Sequence, residues 1–455
     1  MTTNRDLFEK MPVPRALAKL AIPSIISQLI TMIYNLADTV FIGMANNPSM
    51  TAAASLSFVL VFAMSCFGNL FGVGGGSLIS RLLGERRDSD AASVSSFAIW
   101  CSVLAAGAYS LLTLIFLEPL MRLLGATDSS VGYSMDYAFY VVVIGAIPSV
   151  VSLTIANLLR SEGRANYASL GLGLGGVMNI ILDPIFMFVI LEPGDEVKGA
   201  AMATMLSNII VMIFFVLVFF FIRGKTVLSA SLKRVVPERR YIRSVFAVGL
   251  PSALSTLLAC ISNLFINNLC ASYSTVYGDV PVAAVGIAKK IDMLPMNVSM
   301  GLCQGMMPLV AYNYSAGNYN RMHAFSRTAR NTGIVFAVIC IVTFQIFGGS
   351  IVRLFIGDAA TVAMGTDFLR ILCLSVPLVI INFQTGYTFQ AMGMGKQSLF
   401  LSSLRQGVVH IPLLFAMNAI VGLYGIVWTQ LLSDAITCIV SIALYYRTYK
   451  ALNAK

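Results

Sequence analysis

The sequence predicts an all-α polytopic membrane protein with twelve transmembrane helices arranged as two six-helix repeats. Three observations carry this prediction. Of the 455 residues, 58% are hydrophobic and only 11% are charged, whereas a soluble globular protein has about 25% charged residues. Apolar stretches long enough to cross a bilayer, about 20 residues each, recur from end to end. Proline-marked segments of the first half return in the second half at an almost constant spacing.

The composition excludes a soluble enzyme, a disordered chain and a secreted disulfide scaffold. The net charge of +10 does not indicate nucleic-acid binding, because the basic residues occupy short gaps between apolar runs instead of one clustered patch. The eight cysteines are scattered singly without a CxxC pair, and the two histidines, His323 and His410, lie far apart. We therefore expect no zinc site, no covalent cofactor and no enzymatic activity.

The apolar runs predict twelve spans in chain order. Four basic residues, beginning at Arg5, precede or open the first run, which lacks a small-residue cleavage motif. We therefore interpret this run as a retained helix and not as a removable signal peptide. The predicted spans are 15–42, 50–80, 92–117, 131–159, 167–191, 198–222, 241–270, 280–312, 325–347, 367–391, 398–420 and 424–446.

The charges between the spans orient the chain. With the N-terminus inside, 24 of the 30 lysines and arginines belong to the inner side, four to the outer side and two to a span. This bias follows the positive-inside rule and predicts that both termini are cytoplasmic. The longest hydrophilic gap is strongly basic and divides the chain into an N-terminal lobe (1–222), a linker (223–243) and a C-terminal lobe (244–455).

Prolines within the spans mark the internal repeat, because each one removes a backbone donor and is costly in a membrane helix. Six spans per repeat is an even number, so both repeats enter the membrane in the same orientation. Their pseudo-twofold axis then lies along the membrane normal, with a V-shaped central cavity between the lobes, as in transporters. The matching pairs are Pro23 with Pro251 and Pro184 with Pro412, both 228 residues apart, and Pro148 with Pro377, 229 residues apart.

Two aspartates break this repeat. At the offset of 228, Asp38 corresponds to Ile266 and Asp183 corresponds to Ile411. A charge within a bilayer costs at least ~2.5–3.5 kcal/mol and generally marks a functional site. The alternative is that each aspartate is paired with a base or reaches the interface. Both are predicted to lie in the outer half of the membrane.

Polar neighbours favour the functional interpretation. Tyr34 lies one turn before Asp38, and Asn179 lies one turn before Asp183, so each pair shares a helix face. Thr204 falls at the same predicted depth in the sixth span. These side chains together form a hard-oxygen site that could bind Na⁺, or a proton shared by two carboxylates, and the set of oxygens does not distinguish the two.

The second half carries a weaker candidate site. Lys289 and Asp292 lie one turn apart and can neutralise each other, or Asp292 can contact a cationic substrate in the cavity. Met293 and Met296 recur at helical spacing, which is typical of packing but also of an adaptable pocket. The predicted substrate-cavity residues are Asp292, Met293, Met296, Asn263 and Gln304.

Six short segments, taken together and in order, resemble the MATE (multidrug and toxic compound extrusion) transporters over essentially the whole chain, most closely the MepA-like bacterial branch. The segments are NLADTVFIG (35–43), GNLFGVG (68–74), ISRLLG (79–84), NIILDP (179–184), GLCQG (301–305) and PLVAYN (308–313). The resemblance implies export of cationic, amphiphilic drugs in exchange for inward Na⁺ or H⁺. It also implies a bacterial inner-membrane protein that contacts lipids, and we expect it to be a monomer.

The resemblance further implies a cation site in the N-terminal lobe. The family positions match Asp38, Asn179, Asp183 and Thr204, and the asparagine of the fourth helix matches Asn157. An acidic residue found in the seventh helix of some Na⁺-linked members has no counterpart here, because the seventh span contains no Asp or Glu.

Two rival functions remain open at this point. A lipid-linked oligosaccharide flippase of the same superfamily would line the cavity with several basic residues, and only Lys289 and Lys290 qualify. A membrane-embedded transferase would need a His/Asp or Ser/Lys constellation at one membrane face, and the sequence offers none.

Overall fold

A computed structural model describes residues 5–453 except 46, 236, 237, 274, 275, 277 and 279, and this part of the chain is helical without β-strands. It confirms the predicted all-α architecture of twelve membrane helices. We number the long helices α1 (Val13–Met44), α2 (Pro48–Gly84), α3 (Asp88–Ile115), α4 (Val131–Ile144 with Ala146–Ser161), α5 (Ala165–Ile190), α6 (Glu196–Phe221), α7 (Arg239–Ala271), α8 (Val280–Ser315), α9 (Tyr319–Arg353), α10 (Ala359–Ala391), α11 (Gly395–Val421) and α12 (Leu423–Asn453).

Eleven of the long segments in the described part are apolar enough to cross a bilayer, if the bent α4 counts as one span. The remaining segment, α8, is 36 residues long and carries Lys289, Lys290 and Asp292 in its first half. Short helices at Arg5–Glu9 and Leu117–Leu123 lie outside the spans. Helix α8 therefore carries three charges within four residues inside the bundle.

Proline breaks the same helix in both lobes. The two parts of α4 meet at 49° between Ile144 and Ala146, just before Pro148. In α10 a tight turn at Cys373–Ser375 precedes Pro377. Because proline lacks an amide N–H and clashes with the preceding turn, it interrupts the helical ladder at equivalent points of the repeat.

The two lobes meet through glycine contacts on the side of the bundle that carries the chain ends, which we call the termini side. A Cβ atom added at Gly301 of α8 would lie 2.6 Å from the Cα atom of Ile25 in α1. A Cβ atom at Gly74 of α2 would lie 3.1 Å from the Cα atom of Gly249 in α7. Only glycine allows backbones to approach this closely.

Toward the opposite side, which we call the far side, the lobes separate. Among the inter-lobe hydrogen bonds of the described residues, the participant of α2 nearest the far side is Cys66, whose thiol donates to the carbonyl of Ala253 at 3.4 Å. On α7 the corresponding residue nearest the far side is Thr256, whose hydroxyl accepts a hydrogen bond from the Asn69 amide at 3.3 Å. The resulting shape is the predicted V-shaped cavity, closed on the termini side.

The N-terminal segment Arg5–Glu9 bridges the lobes on the termini side. The ring of Phe8 stacks on that of Tyr312 in α8, with centroids 4.7 Å apart. The Glu9 carboxylate accepts hydrogen bonds from the Tyr312 hydroxyl (2.6 Å) and from Arg86 at the end of α2 (3.0 Å). A single short segment therefore contacts both halves of the molecule.

The first part of the linker docks on the N-terminal lobe through Glu162, a buried residue between α4 and α5. Its carboxylate accepts hydrogen bonds from the amide of Val227 (2.7 Å) and the hydroxyl of Thr226 (2.5 Å). Arg164 forms an ion pair with the same carboxylate at 3.2 Å. These contacts attach the first part of the linker to the N-terminal lobe. The predicted lobe boundaries stay a prediction.

We expect the Glu162 contact to depend on pH. Burial raises the pKa of the Glu162 carboxyl despite the hydrogen bonds from Thr226 and Val227 and the charge of Arg164. The docked form then binds a proton more tightly than the released form, so docking strengthens as the pH falls from neutral through the raised pKa.

Two substitutions and limited trypsin digestion test this contact. Glu162→Gln should keep the linker docked and abolish the pH dependence. Glu162→Ala should speed cleavage within 223–243 about tenfold, equivalent to about 1.4 kcal/mol of lost hydrogen bonding. An unchanged cleavage rate in Glu162→Ala would mean that other contacts hold the linker.

Candidate functional site: a polar cluster in the N-terminal lobe

Helices α5 and α6 bring three predicted site residues together on the far side. The Asn179 side-chain amide donates to the Asp183 carboxylate at 3.1 Å and to the Thr204 hydroxyl at 3.1 Å. Asp183 is completely buried, with 0% exposure. The i,i+4 spacing of Asn179 and Asp183 places both on the face of α5 that meets α6.

Helix α1 adds Tyr34 and Asp38 to this cluster. A Cβ atom at Gly176 of α5 would lie 2.7 Å from the Ile30 side chain and 3.1 Å from the ring of Tyr34, so the glycine permits close packing of α1 on α5. Asp38 and Asp183 interact electrostatically, and Tyr34 interacts with both. The structure therefore groups five of the six predicted cation-coupling residues.

Three oxygen atoms of the cluster are buried and receive no hydrogen bond from a protein group: Asp38 Oδ1, Asp183 Oδ2 and Asn179 Oδ1. Buried polar atoms are almost always hydrogen-bonded, because an unpaired one costs free energy. Carboxylate and amide oxygens are the ligands that hard cations prefer. The described residues contain no group of three or more His, Cys, Asp or Glu suited to a metal ion. With only two acids, the cluster suits a monovalent cation or a shared proton.

Tyr137 belongs to the same cluster, and the sequence analysis missed it. It is buried in the first part of α4 and interacts electrostatically with Asp38, Asp183 and Tyr34. A tyrosine in an apolar span carries no spacing signal of its own. Only the packing of α4 against the neighbouring helices reveals its position.

Asn157 lies apart from the cluster, near the termini side of α4. Its side-chain oxygen accepts a hydrogen bond from Arg160 at 3.2 Å, and its amide donates to the carbonyl of Leu153 at 3.0 Å. The structure does not bring Asn157 together with Asp38 and Asp183. Its role in cation coupling stays a prediction.

The C-terminal positions that correspond to Asp38 and Asp183 in the repeat are the apolar residues Ile266 and Ile411. Ile266 is buried in an apolar cluster that includes Val285 and Leu414. Ile411 is half-buried. The arrangement of carboxylates is therefore particular to the first lobe.

The structure places Lys289 and Asp292 close together without a direct ion pair, and both interpretations of these residues stay predictions. The Lys289 ammonium donates to the side-chain oxygen of Asn263 at 2.8 Å, and the ion pairs of the described residues do not include one between Lys289 and Asp292. Asp292 is buried, its Oδ1 receives no protein hydrogen bond, and it interacts electrostatically with Lys289 and Asp434. The one-turn spacing thus produces proximity without a direct contact.

Arg405 corrects the charge count made from the sequence. The sequence predicts it on the inner side, but it lies within α11, at a π-helical turn spanning Leu404–Val408. Its guanidinium pairs with Asp434 of α12 at 2.7 Å, with exposures of 7% and 0%. It also lies over the ring of Phe383, 4.5 Å from the centroid. Arg405 and Asp434 are 29 residues apart. The sequence alone therefore does not pair them, and Arg405 is counted with the inner-side charges.

Asp434→Ala should lower the free energy of unfolding by about 3 kcal/mol, because removing one member of a buried ion pair leaves the other charge uncompensated. Thermal unfolding in detergent measures this effect. A second substitution, Arg405→Met in the Asp434→Ala background, should recover most of the loss. Asp128→Ala is the matched control, since the Asp128–Arg122 pair is solvent-exposed and should contribute nothing measurable. Equal melting temperatures for both single variants would contradict the prediction.

The cavity between the lobes has a volume of about 300 Å³. Aromatic side chains from both lobes line it, namely Phe62, Phe383 and Tyr387, together with hydroxyl and amide groups. Its charged side chain is Arg405, which Asp434 already neutralises. Of the predicted cavity residues, Gln304 lines this space. The other four do not: Asn263, Asp292, Met293 and Met296.

Comparison with known families supports the repeat. The MatE family matches the chain twice, over residues 23–185 and 251–416. The starts of the two matches are Pro23 and Pro251, the first of the proline pairs that revealed the repeat.

Relatives cover nearly the whole chain. Multidrug export protein MepA from Staphylococcus saprophyticus is 32% identical over 439 residues, which is 96% of this chain and 95% of the relative. MepA from Staphylococcus aureus is 31% identical over the same lengths and shares. A solved multidrug resistance MATE family transporter of the MOP superfamily, in an outward-facing conformation, superimposes with a TM-score of 0.92 at 26% identity and covers 100% of this chain and 99% of its own. The chain is a multi-pass membrane protein that belongs to the MATE family of transporters.

Proposed function

We propose that this protein exports cationic, amphiphilic compounds in exchange for Na⁺ or H⁺ that enters down its gradient. The observation that carries the proposal is the set of three buried oxygens, on Asp38, Asn179 and Asp183, that no protein group donates to. An ion gradient is a suitable energy source, because the sequence contains no Walker motif. The names of the MepA relatives support multidrug export.

The central cavity supports this class of substrate. Its volume of about 300 Å³ lies at the lower end of the range for small-molecule pockets. The faces of Phe62 and Tyr387 attract organic cations through their ring quadrupoles. Phe383 is already covered by Arg405. Amides such as Gln304 can orient polar substituents without selecting one compound.

Exchange requires that the ion and the drug favour different conformations, since a ligand shifts an equilibrium only by its differential affinity. Two helices of the ion site contain a proline, Pro23 in α1 and Pro184 in α5. These prolines allow the helices to bend when the carboxylates gain or lose a cation. Ion binding then favours the state with lower drug affinity, and the drug leaves on the far side.

We place the protein in the inner membrane of a bacterium as a monomer, with the termini side facing the cytoplasm. The charge bias between the spans supports this orientation. The cavity then opens to the outside in the conformation described here, which is the state from which an exporter releases its substrate.

The test is efflux of ethidium from proteoliposomes with the Na⁺ and pH gradients imposed separately. We expect at least one gradient to drive transport and the dye to bind the purified protein. If the dye binds but neither gradient moves it, the antiport proposal is wrong. The gradient that does drive efflux identifies the coupling ion.

A further inference from the structure

Arg160 is a buried cation that is not neutralised by a protein carboxylate. It is 4% exposed, and its guanidinium donates to the Asn157 side chain (3.2 Å) and the Ser27 hydroxyl (3.4 Å). Its Nε receives no hydrogen-bond partner from the protein. The ion pairs of the described residues do not include Arg160.

Among the described residues, the other buried arginine, Arg405, is paired with a carboxylate, and so is the half-buried Arg164. Arg405 binds Asp434 at 2.7 Å, and Arg164 binds Glu162 at 3.2 Å. An unpaired ion in a low-dielectric interior costs several kcal/mol. The buried charge of Arg160 therefore destabilises the folded protein unless a bound ligand compensates it.

The internal repeat shows that the fold itself does not need this charge. The segment containing Glu162 aligns with that containing Met392, so Arg160 corresponds to Gln390 in the second lobe. Gln390 is also buried and donates to the hydroxyl of Ser398 at 3.0 Å. A neutral amide with a protein partner is thus sufficient at the equivalent position.

Arg160 faces a small pocket between the lobes, at the termini side of the central cavity. The pocket has a volume of about 30 Å³, which is enough for one or two water molecules or one small ion. Asn157 and Ser80 line it from the first lobe, and Gln304 and Tyr387 line it from the second. Tyr387 interacts electrostatically with Arg160.

The donors in this pocket suit an anion. The tyrosine hydroxyl can donate to it, and so can Nε of Arg160. The Gln304 amide can turn its NH₂ group toward the pocket, because its oxygen accepts no hydrogen bond in the present orientation. The volume excludes organic acids and phosphate esters of drug size.

We propose that Arg160, together with Gln304 and Tyr387, forms a binding site for a small inorganic anion of the halide class at the interface between the lobes. The site is complete only when the lobes are closed on the termini side, because each lobe supplies part of it. The bound anion stabilises that conformation by mass action, since it binds this state and not the state in which the lobes have parted.

The first test is thermal unfolding of the full-length protein in detergent, with chloride replaced by gluconate at constant Na⁺ and ionic strength. Chloride should raise the melting temperature by several degrees in a saturable manner. Arg160→Gln should abolish that rise, and Tyr387→Phe should shift the half-saturating concentration several-fold upward. Arg81→Gln is the matched control, because Arg81 lies at the same interface but donates to Ser244 outside the pocket.

The second test needs no variant, so it holds even if Arg160→Gln does not fold. Crystals of the wild-type protein grown in bromide should give an anomalous scattering peak beside Arg160. A melting temperature that is equal in chloride and gluconate, or a pocket without a bromide peak, would show that water alone solvates the arginine and would overturn the proposal. Asp183→Asn should keep the full chloride response, which separates this site from the coupling site.

Discussion

Asp183→Asn is expected to reduce gradient-driven efflux by at least 100-fold while the protein still folds and binds drug. The asparagine has the same shape and can still accept the hydrogen bond from Asn179. It removes the charge from a fully buried position, so the cluster can no longer exchange a proton or balance a bound cation. Losing one or two charge-assisted contacts weakens binding of the ion by about 3 kcal/mol, which lowers its affinity by about 100-fold.

The measurement is the initial rate of dye efflux from proteoliposomes with matched protein content. Asp136→Asn is the control, because Asp136 lies on α4 at the same side of the membrane but is exposed. It should transport at the wild-type rate. Undiminished efflux by well-folded Asp183→Asn would remove the cluster from the coupling mechanism.

Gly301→Val is expected to open the lobes on the termini side and to slow transport by roughly 100-fold. The added Cβ would lie 2.6 Å from the Cα atom of Ile25, and a backbone atom cannot move aside as a flexible side chain can. Overpacking of this kind costs about 3 kcal/mol at the upper end of its range. The cost falls only on the conformation in which α1 and α8 touch, so the population shifts away from it.

Spin labels on the far side can report this shift in a cysteine-free background. The pair Asp128→Cys and Gly357→Cys places one label on each lobe, and their separation should shorten when the termini side opens. Gly286→Val is the matched control in the same helix, because no atom lies within 4 Å of the added Cβ. Identical label distances in Gly301→Val and the wild type would argue against the interface as a pivot of the transport cycle.

The sequence was sufficient for the architecture because a bilayer imposes strong rules on composition. Apolar runs of span length and proline pairs 228 or 229 residues apart predicted twelve helices in two repeats, and the structure and the family comparison confirm this fold. The boundaries of individual helices were less predictable. Helix α10 begins at Ala359, eight residues before the predicted span (367–391), because the Asp358 carboxylate caps the helix by accepting hydrogen bonds from the amide and the hydroxyl of Thr361.

The coupling cluster was partly predictable because helical spacing fixes which residues share a face. Asn179 and Asp183 could be paired in this way, and Thr204 by its predicted depth. Contacts between helices distant in sequence could not be foreseen, as Tyr137 illustrates. The partner of Lys289 likewise proved to be Asn263 on a neighbouring helix, not the aspartate one turn away.

The segment Arg5–Glu9 has a practical consequence for following the transport cycle. Phe8 and Glu9 contact Tyr312 of the C-terminal lobe, and Glu9 also binds Arg86 of the N-terminal lobe. The segment must therefore release one lobe whenever the lobes separate on the termini side. A fluorophore attached beside it would experience a new environment in every turnover. The amino end is therefore a good position for an optical reporter and a poor one for a bulky purification tag.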